Sequence, residues 1–171
     1  MLQIECILTS NTEFSVRRSN ESDHIALRAI RLEALRDSPA AYGSTYKECE
    51  LWTPARWKEL ASGNCYLGEI YGEVVGMATG GFNTDFPNTF WLFGMFVSPK
   101  ARGSVVGIDL VRAVEEWAKK QGAAELYLHV TETMQRARAF YTKIGFLLNG
   151  GSVTMDRDPS LKLVTMVKKL D

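Results

Sequence analysis

The stretch VSPKARGSVVG, residues 97–107, decides the fold. It follows an apolar strand candidate, turns through small residues and leads into a helix candidate. Such a junction presents backbone N–H groups at the positive end of a helix dipole, which is a ready site for phosphate. The stretch contains neither a Walker loop nor a G-x-G-x-x-G fingerprint. It therefore indicates a pyrophosphate-bearing cofactor, with a plain strand-to-helix turn as the alternative.

The elements around this stretch are predicted to be a strand, a helix and a second strand. Residues 89–97 form the longest apolar run and predict a buried strand. The alternating residues 126–130 predict the following strand, and a passage of this length implies a right-handed crossover to a parallel neighbour. Between them, apolar residues recur on one helical face up to Gly122, namely Val106, Leu110, Val111, Val114, Trp117 and Ala118.

The N-terminal part is predicted to contain one strand and two helices. The alternating residues 14–17 predict the first strand. Ser22 is the expected cap of a helix that Pro39 stops. Thr53-Pro54 places a capping hydroxyl before a proline at the first helical position, which opens a second helix ending at Gly63.

Two hairpins complete the predicted sheet. Strands over 65–71 and 74–82 are expected to be joined by Gly72-Glu73, and residues 83–88 turn the chain into the next strand. Near the C-terminus, Thr131 or Thr133 is expected to cap a last helix. Closing strands follow over 146–148 and 163–167 and give a mixed sheet with helices on both faces.

Composition and charge exclude several classes of protein. The chain has 171 residues, 46% hydrophobic and 23% charged, which indicates one globular domain over residues 1–171. Lys plus Arg equals Asp plus Glu at 20 each, so no excess of positive charge exists to bind nucleic acid. No apolar run is long enough to span a membrane, and no signal peptide is evident. The three cysteines lack zinc-site spacing and predict reduced thiols in the cytoplasm.

Two segments together resemble the GNAT superfamily of acetyl-CoA-dependent N-acetyltransferases. Residues 97–107 follow V-x-P-x-x-R-G-x-x-x-G, which resembles the family's pyrophosphate motif, Q/R-x-x-G-x-G/A. Residues 136–146, RARAFYTKIGF, are similar to its second signature, R-A-x-x-F-Y-x-K-x-G-F. The resemblance implies an α/β (α+β) fold with a mixed, mostly antiparallel sheet of six to seven strands, one parallel splayed pair and four helices on both faces. Residues 1–13 are left as an N-terminal extension.

The resemblance also implies an activity. A family member moves an acetyl group from acetyl-CoA, its co-substrate, to a primary amine by direct attack in a ternary complex, without a metal. The acceptor is a small-molecule amine or a peptide amine, and a homodimer is left open. Tyr141 resembles the family's proton donor to the departing thiolate, with packing beside Phe140 as the alternative role.

Cofactor contacts follow from the same resemblance. The backbone of Met95, Phe96 and Val97 would lie along the acyl-pantetheine arm and polarise the thioester carbonyl. Val105 and Met134 depart from the family, which has glycine and asparagine there, so a non-catalytic acyl-CoA-binding module is the alternative function. The full set implied for the pyrophosphate turn and the second signature is Arg102, Gly103, Ser104, Val105, Val106, Gly107 and Met134.

The sequence does not decide the general base or the acceptor pocket. Titratable candidates for the base are Glu33, Glu69, Asp85 and His129, and a water chain is the alternative. Aromatic residues around the first two helices suit either a cationic amine or a hydrophobic core, and these are Tyr42, Tyr46, Trp52 and Trp57.

Overall fold

The computed structural model describes residues 14–171, which form one seven-stranded sheet in the order β1-β2-β3-β4-β5-β7-β6. The strands are β1 (Phe14–Arg18), β2 (Cys65–Ile70), β3 (Glu73–Asn83), β4 (Phe86–Val97), β5 (Glu125–Thr131), β6 (Leu147–Met155) and β7 (Asp158–Lys169). The α-helices are α1 (His24–Asp37), α2 (Tyr46–Glu50), α3 (Pro54–Ser62), α4 (Val106–Lys120) and α5 (Gln135–Lys143). Short 3-10 turns cover Glu21–Asp23, Pro39–Ala41 and Pro99–Ala101.

The sheet is mixed, as the sequence predicted. Within residues 14–171, β4 and β5 form the one parallel pair, and the other neighbouring strands are antiparallel. The predicted fold class is confirmed, with α2 as an additional short helix opened by a Thr45–Glu48 capping box. The predicted N-terminal extension, residues 1–13, lies outside the described residues, and a single domain over 1–171 stays a prediction.

Strand β4 separates from β5 part of the way along its length. The parallel register joins Phe90 to Leu126 and Trp91 to Tyr127, and β4 then continues to Val97. On its other side, β4 has one extra residue relative to β3, because Phe96 lies opposite Met77 while Phe93 lies opposite Thr79. Gly94 lies within this bulge at φ +58°, a left-handed conformation that suits glycine. The bulge bends β4 and leaves its edge towards β5 open.

Glycines bring α4 close to one face of the sheet. A Cβ atom on Gly68 would overlap Val106, one on Gly80 would overlap the Trp117 ring, and one on Gly76 would lie 2.9 Å from Leu110. All six apolar positions predicted for the face of α4 are buried. Helix α4 therefore begins and ends directly against β2 and β3.

Helices α1 and α3 cover the opposite face. Leu27 and Ile30 from α1 and Trp57 from α3 are at most 2% exposed and belong to one cluster with Phe96 of β4. This hydrophobic cluster packs against the bulged strand β4 on the face of the sheet opposite α4. No helix within residues 14–171 is long and apolar enough to cross a bilayer.

The helix caps differ in part from those predicted. Thr53 caps α3 as expected, since its hydroxyl accepts from the Arg56 N–H. The prediction for Ser22 was wrong, because the Asn20 side chain accepts from the Ser22 N–H and Asp23 completes the capping box. Asparagine is at least as good a cap as serine, so the turn begins two residues earlier.

The predicted threonine caps of the last helix were also wrong. Met134 occupies the N-cap of α5 and makes no side-chain capping bond. The Thr131 hydroxyl instead donates to the Ala40 carbonyl at 2.7 Å. The Thr131 side chain, which local spacing predicted to be a helix cap, is therefore engaged in a long-range hydrogen bond instead.

Most strands are longer than predicted, the β2–β3 turn is shifted by one residue, and the two later turns are tighter. Tyr71 and Gly72, at φ +49° and +77°, form the turn between β2 and β3, rather than Gly72-Glu73. Thr84-Asp85 and Asp156-Arg157 are the links of the two later hairpins. Backbone pairing extends these strands through polar residues that carry no hydrophobic signal.

We expect Gly80→Ala to lower the free energy of unfolding by about 1–3 kcal/mol, because the added methyl group forces the Trp117 ring and α4 away from the sheet. Urea unfolding followed by circular dichroism measures this loss. Gly43→Ala is the control, since a Cβ atom there has no neighbour within 4 Å. Equal losses in the two variants would contradict a packing role for Gly80.

Candidate active site

A cleft of about 1040 Å³ opens where β4 leaves β5, and we call it the central cleft. Its walls come from β4, β5, the start of α4, α5, the turn after α1 and the two late hairpins. Its volume lies slightly above the usual range for cofactor and ligand pockets, about 300–1,000 Å³. Most residues predicted for the site line it, namely Met95, Phe96, Val97, Arg102, Gly103, Ser104, Gly107, Met134 and Tyr141.

One end of the central cleft is positive. The first intrahelical bond of α4 is donated by the Asp109 N–H to the Val105 carbonyl, so the amides of residues 106–108 precede the helical ladder. Arg102, Arg136 and Lys143 line the cleft as well. The helix dipole, the free amides and the cationic side chains together suit this end to an anion.

Arg102 is bound within the protein as well as lining the cleft. Its Nε donates to the Val97 carbonyl at 3.1 Å, and its guanidinium forms an ion pair with Asp37. Burial opposes ionisation of Asp37, but hydrogen bonds from Ser38 and Arg102 hold the pKa of this carboxyl below its usual value. Arg102 therefore ties the end of α1 to the end of β4.

Val105 and Val106 have side chains outside the central cleft. Val105 has φ −70° and ψ −17°, an ordinary helical conformation, and its side chain is 47% exposed. The backbone at Val105 thus does not require the glycine of the family motif. Val106 points into the core against Gly68. The predicted cofactor contacts of both residues rest on their amides and stay predictions.

The open edge of β4 carries backbone groups that face the gap. The Met95 carbonyl accepts from the Tyr42 hydroxyl at 3.0 Å, and the Val97 carbonyl accepts from Arg102. Ser98 faces the other way, because its N–H donates to the Val75 carbonyl of β3 at 2.8 Å. Since the N–H and C=O of one strand residue point to the same side, the amides of Met95 and Val97 face the gap.

Tyr141 lies on α5 with its ring packed into the core and 8% exposed. Its ring contacts Phe140 and Phe146 at centroid distances of 5.3 and 5.7 Å. Within residues 14–171 its hydroxyl has no hydrogen-bond partner, although it lines the cleft. Burial, and then the proximity of Tyr42, raise the pKa of Tyr141 well above its usual value of 10.0. The hydroxyl therefore stays protonated across the neutral range.

The structure separates the four candidates for the general base. His129 and Asp85 line the central cleft. Glu33 and Glu69 lie outside its lining, where Glu33 accepts from the Ser98 hydroxyl at 2.5 Å and Glu69 pairs with Arg17. His129 packs on Trp91 at 4.6 Å, and burial lowers the pKa of its imidazole below 6.5.

Of the four aromatic residues considered for the acceptor pocket, Tyr42 lines the cleft. Trp57 is 1% exposed in the core and contacts Trp52 at 4.8 Å. Phe86 and Phe93 line the cleft instead. Sequence reasoning missed both, because it assigned Phe86 to the turn over residues 83–88 and Phe93 to a buried strand. Phe93 is 38% exposed beside the buried Leu92, and no sequence signal distinguished it from the other apolar residues of the run.

The residues 14–171 contain no group of three His, Cys, Asp or Glu side chains that could hold a metal ion. The site is instead a splayed parallel strand pair with a helix N-terminus at one end of the gap. These are features of the N-acetyltransferase fold that the two signatures predicted. Residues 28–146, more than half of the chain, match the acetyltransferase (GNAT) family. The chain therefore belongs to this family of acetyltransferases.

Known proteins agree with this membership. The chain is 36% identical over 55 residues to an uncharacterized N-acetyltransferase of Bacillus subtilis, YobR, and this match spans 32% of the chain and 22% of YobR. A GNAT-family acetyltransferase of Streptococcus pneumoniae has a similar fold, with a TM-score of 0.73 and 20% identity over 92% of this chain and 99% of the other. YncA of Salmonella typhimurium, whose structure contains acetyl-CoA, has a TM-score of 0.70 and 19% identity over 92% and 94%.

The imidazole of His129 is expected to titrate with a midpoint below its usual 6.5 and to be neutral at pH 7, because burial disfavours the charged ring. The chain has one other histidine, His24, so an NMR titration in a His24→Gln background isolates the His129 signal. A midpoint at or above 6.5 would contradict the expectation that burial disfavours the charged imidazole of His129.

Proposed function

We propose that this protein transfers the acetyl group of acetyl-CoA to a primary amine in a ternary complex. One observation carries the proposal: the open edge of β4 and the first turn of α4 line the same cleft. A long acyl-pantetheine arm needs hydrogen-bonding groups along its length, and its pyrophosphate needs N–H donors at one end. The acetyl-CoA in the similarly folded YncA structure supports the same choice of donor.

The residues present fit this co-substrate. When bound, acetyl-CoA supplies an activated acetyl thioester. The amides of residues 106–108, with Arg136 and Lys143, would hold the phosphates. The amides of Met95 and Val97 would donate to the arm and to the thioester carbonyl, where they stabilise negative charge in the transition state.

Proton transfer is assigned to two residues of the cleft lining, Tyr141 and His129. Tyr141 keeps its proton at neutral pH and donates it towards the sulfur as the C–S bond breaks. His129 is neutral at pH 7 and takes the proton that leaves the amine nitrogen as the C–N bond forms, directly or through water. Exchange with water then restores both groups.

The acceptor end of the central cleft suits an amine. Asp85 and Asp156 belong to the lining of the cleft, as do Phe86 and Phe93. Carboxylates attract an ammonium group, and aromatic faces stabilise it further. We also propose a cytoplasmic location, which the free thiols of Cys49 and Cys65 support.

Binding and turnover test the proposal in sequence. Acetyl-CoA is expected to raise the melting temperature more than a dephosphorylated pantetheine fragment does, because only the complete molecule reaches the start of α4. Equal shifts would contradict the pyrophosphate site. A panel of amines assayed by thiol release then tests transfer. Binding without turnover over the whole panel would favour the non-catalytic acyl-CoA-binding module.

Tyr141→Phe removes the hydroxyl and keeps the ring, so we expect turnover to fall about 10²- to 10⁴-fold, the usual contribution of general acid catalysis. The Kd for acetyl-CoA should change far less, because the group acts in the transition state. Steady-state kinetics and calorimetry on one preparation measure both.

Tyr127→Phe is the matched control, since its hydroxyl hydrogen-bonds Glu125 and the residue does not line the central cleft. We expect this control to keep full turnover. If Tyr141→Phe also keeps full turnover with chemistry rate-limiting, Tyr141 has only a packing role.

A further inference from the structure

Arg31 lies in the middle of α1 and reaches into the central cleft. Its Nη1 atom is 3.6 Å from the point where a Cβ atom on Gly94 would stand. The guanidinium therefore lies directly beside the bulge of β4. Its Cζ atom also lies over the Tyr42 ring, 4.6 Å from the centroid, in a cation–π contact.

This guanidinium lacks an anionic partner in the part of the chain that the structure describes. No ion pair or hydrogen bond of Arg31 occurs among residues 14–171. The carboxylates nearest in sequence on the same helix are engaged, because Glu33 accepts from Ser98 and Asp37 pairs with Arg102. A half-buried cation without a counter-ion is costly, so its position in a ligand cleft indicates that the ligand brings the anion.

We propose that Arg31 binds the carboxylate of the acceptor, and that the acceptor is a free α-amino acid. This inference rests on the proposed acetyl transfer. A guanidinium binds a carboxylate through two parallel N–H···O bonds, a geometry that fixes the orientation of the bound group. The phosphates of the donor have their own cationic end at the start of α4, so Arg31 is left for the second substrate.

The position of Arg31 determines where the amine lies. In an α-amino acid, one carbon separates the carboxylate from the amine. A carboxylate held beside Gly94 therefore places the amine at the bulge, where the thioester lies in the proposed complex. Asp85 and Asp156 line the same cleft, and their negative charge favours entry of the ammonium group of the zwitterion.

The same geometry selects against other amines. A peptide N-terminus carries a neutral amide in place of the carboxylate, and a polyamine carries a further cation that Arg31 repels. Both would leave the Arg31 guanidinium unpaired. The cleft therefore suits a small acceptor that carries both an ammonium group and a carboxylate.

The experiment compares free amino acids with their α-carboxamides, first with the unmodified protein. Thiol release gives kcat/KM for the twenty L-amino acids and their carboxamides, and calorimetry gives their binding to the CoA complex. The best amino acid should exceed its own carboxamide about 10- to 100-fold, the range of one charge-assisted hydrogen-bonded pair. In Arg31→Gln this preference should disappear, while the Kd for acetyl-CoA stays unchanged.

Arg28→Gln is the matched control, because Arg28 lies one turn earlier on α1, is exposed and does not line the cleft. It should keep the preference. The inference is overturned if no amino acid binds or reacts better than its carboxamide, or if Arg31→Gln weakens acetyl-CoA binding instead. Acetylation of amines without a carboxylate preference would leave the proposed acetyl transfer intact, whereas absence of acetyl-CoA binding would contradict that function itself.

Discussion

The bulge at Gly94 is the constraint on which the rest of the structure depends. One extra residue in β4 turns the strand away from β5 after two parallel pairs and converts a sheet interior into a cleft. Gly94 adopts a left-handed conformation at φ +58° that other residues rarely tolerate. Because α4 follows β4 after one short turn, the same bend also places the start of α4 at the mouth of the cleft.

A splayed strand must still satisfy its backbone. In an intact sheet β5 would bond the carbonyls of Met95 and Val97, and buried carbonyls without partners are costly. The Tyr42 hydroxyl and the Arg102 guanidinium supply these bonds from outside the sheet. Asp37 holds Arg102 in place. Tyr42 and Arg102 thus replace a missing strand partner while leaving the amides of β4 open.

The sequence predicted those parts of the fold that depend on local periodicity and on turn chemistry. The buried face of α4 and the parallel passage into β5 are of this kind, and the two family signatures identified the site region. Tyr71 shows where prediction from the sequence fails. Its left-handed turn conformation is rare for tyrosine and is imposed by the β2–β3 hairpin rather than by the residue type. Arg31 shows another limit, since its spacing does not distinguish it from the paired arginines around it. Its significance depends on which carboxylates other groups already occupy.

The alternating edges of β4 have a consequence for amide hydrogen exchange. Phe96 and Ser98 face β3, while the amides of Met95 and Val97 face the gap between the strands. Amide exchange should therefore be fast at Met95 and Val97 and slow at Phe96 and Ser98, although the four residues are consecutive in the chain. A ligand that lies along the gap as an extra strand would slow exchange at Met95 and Val97 alone and make the protection continuous.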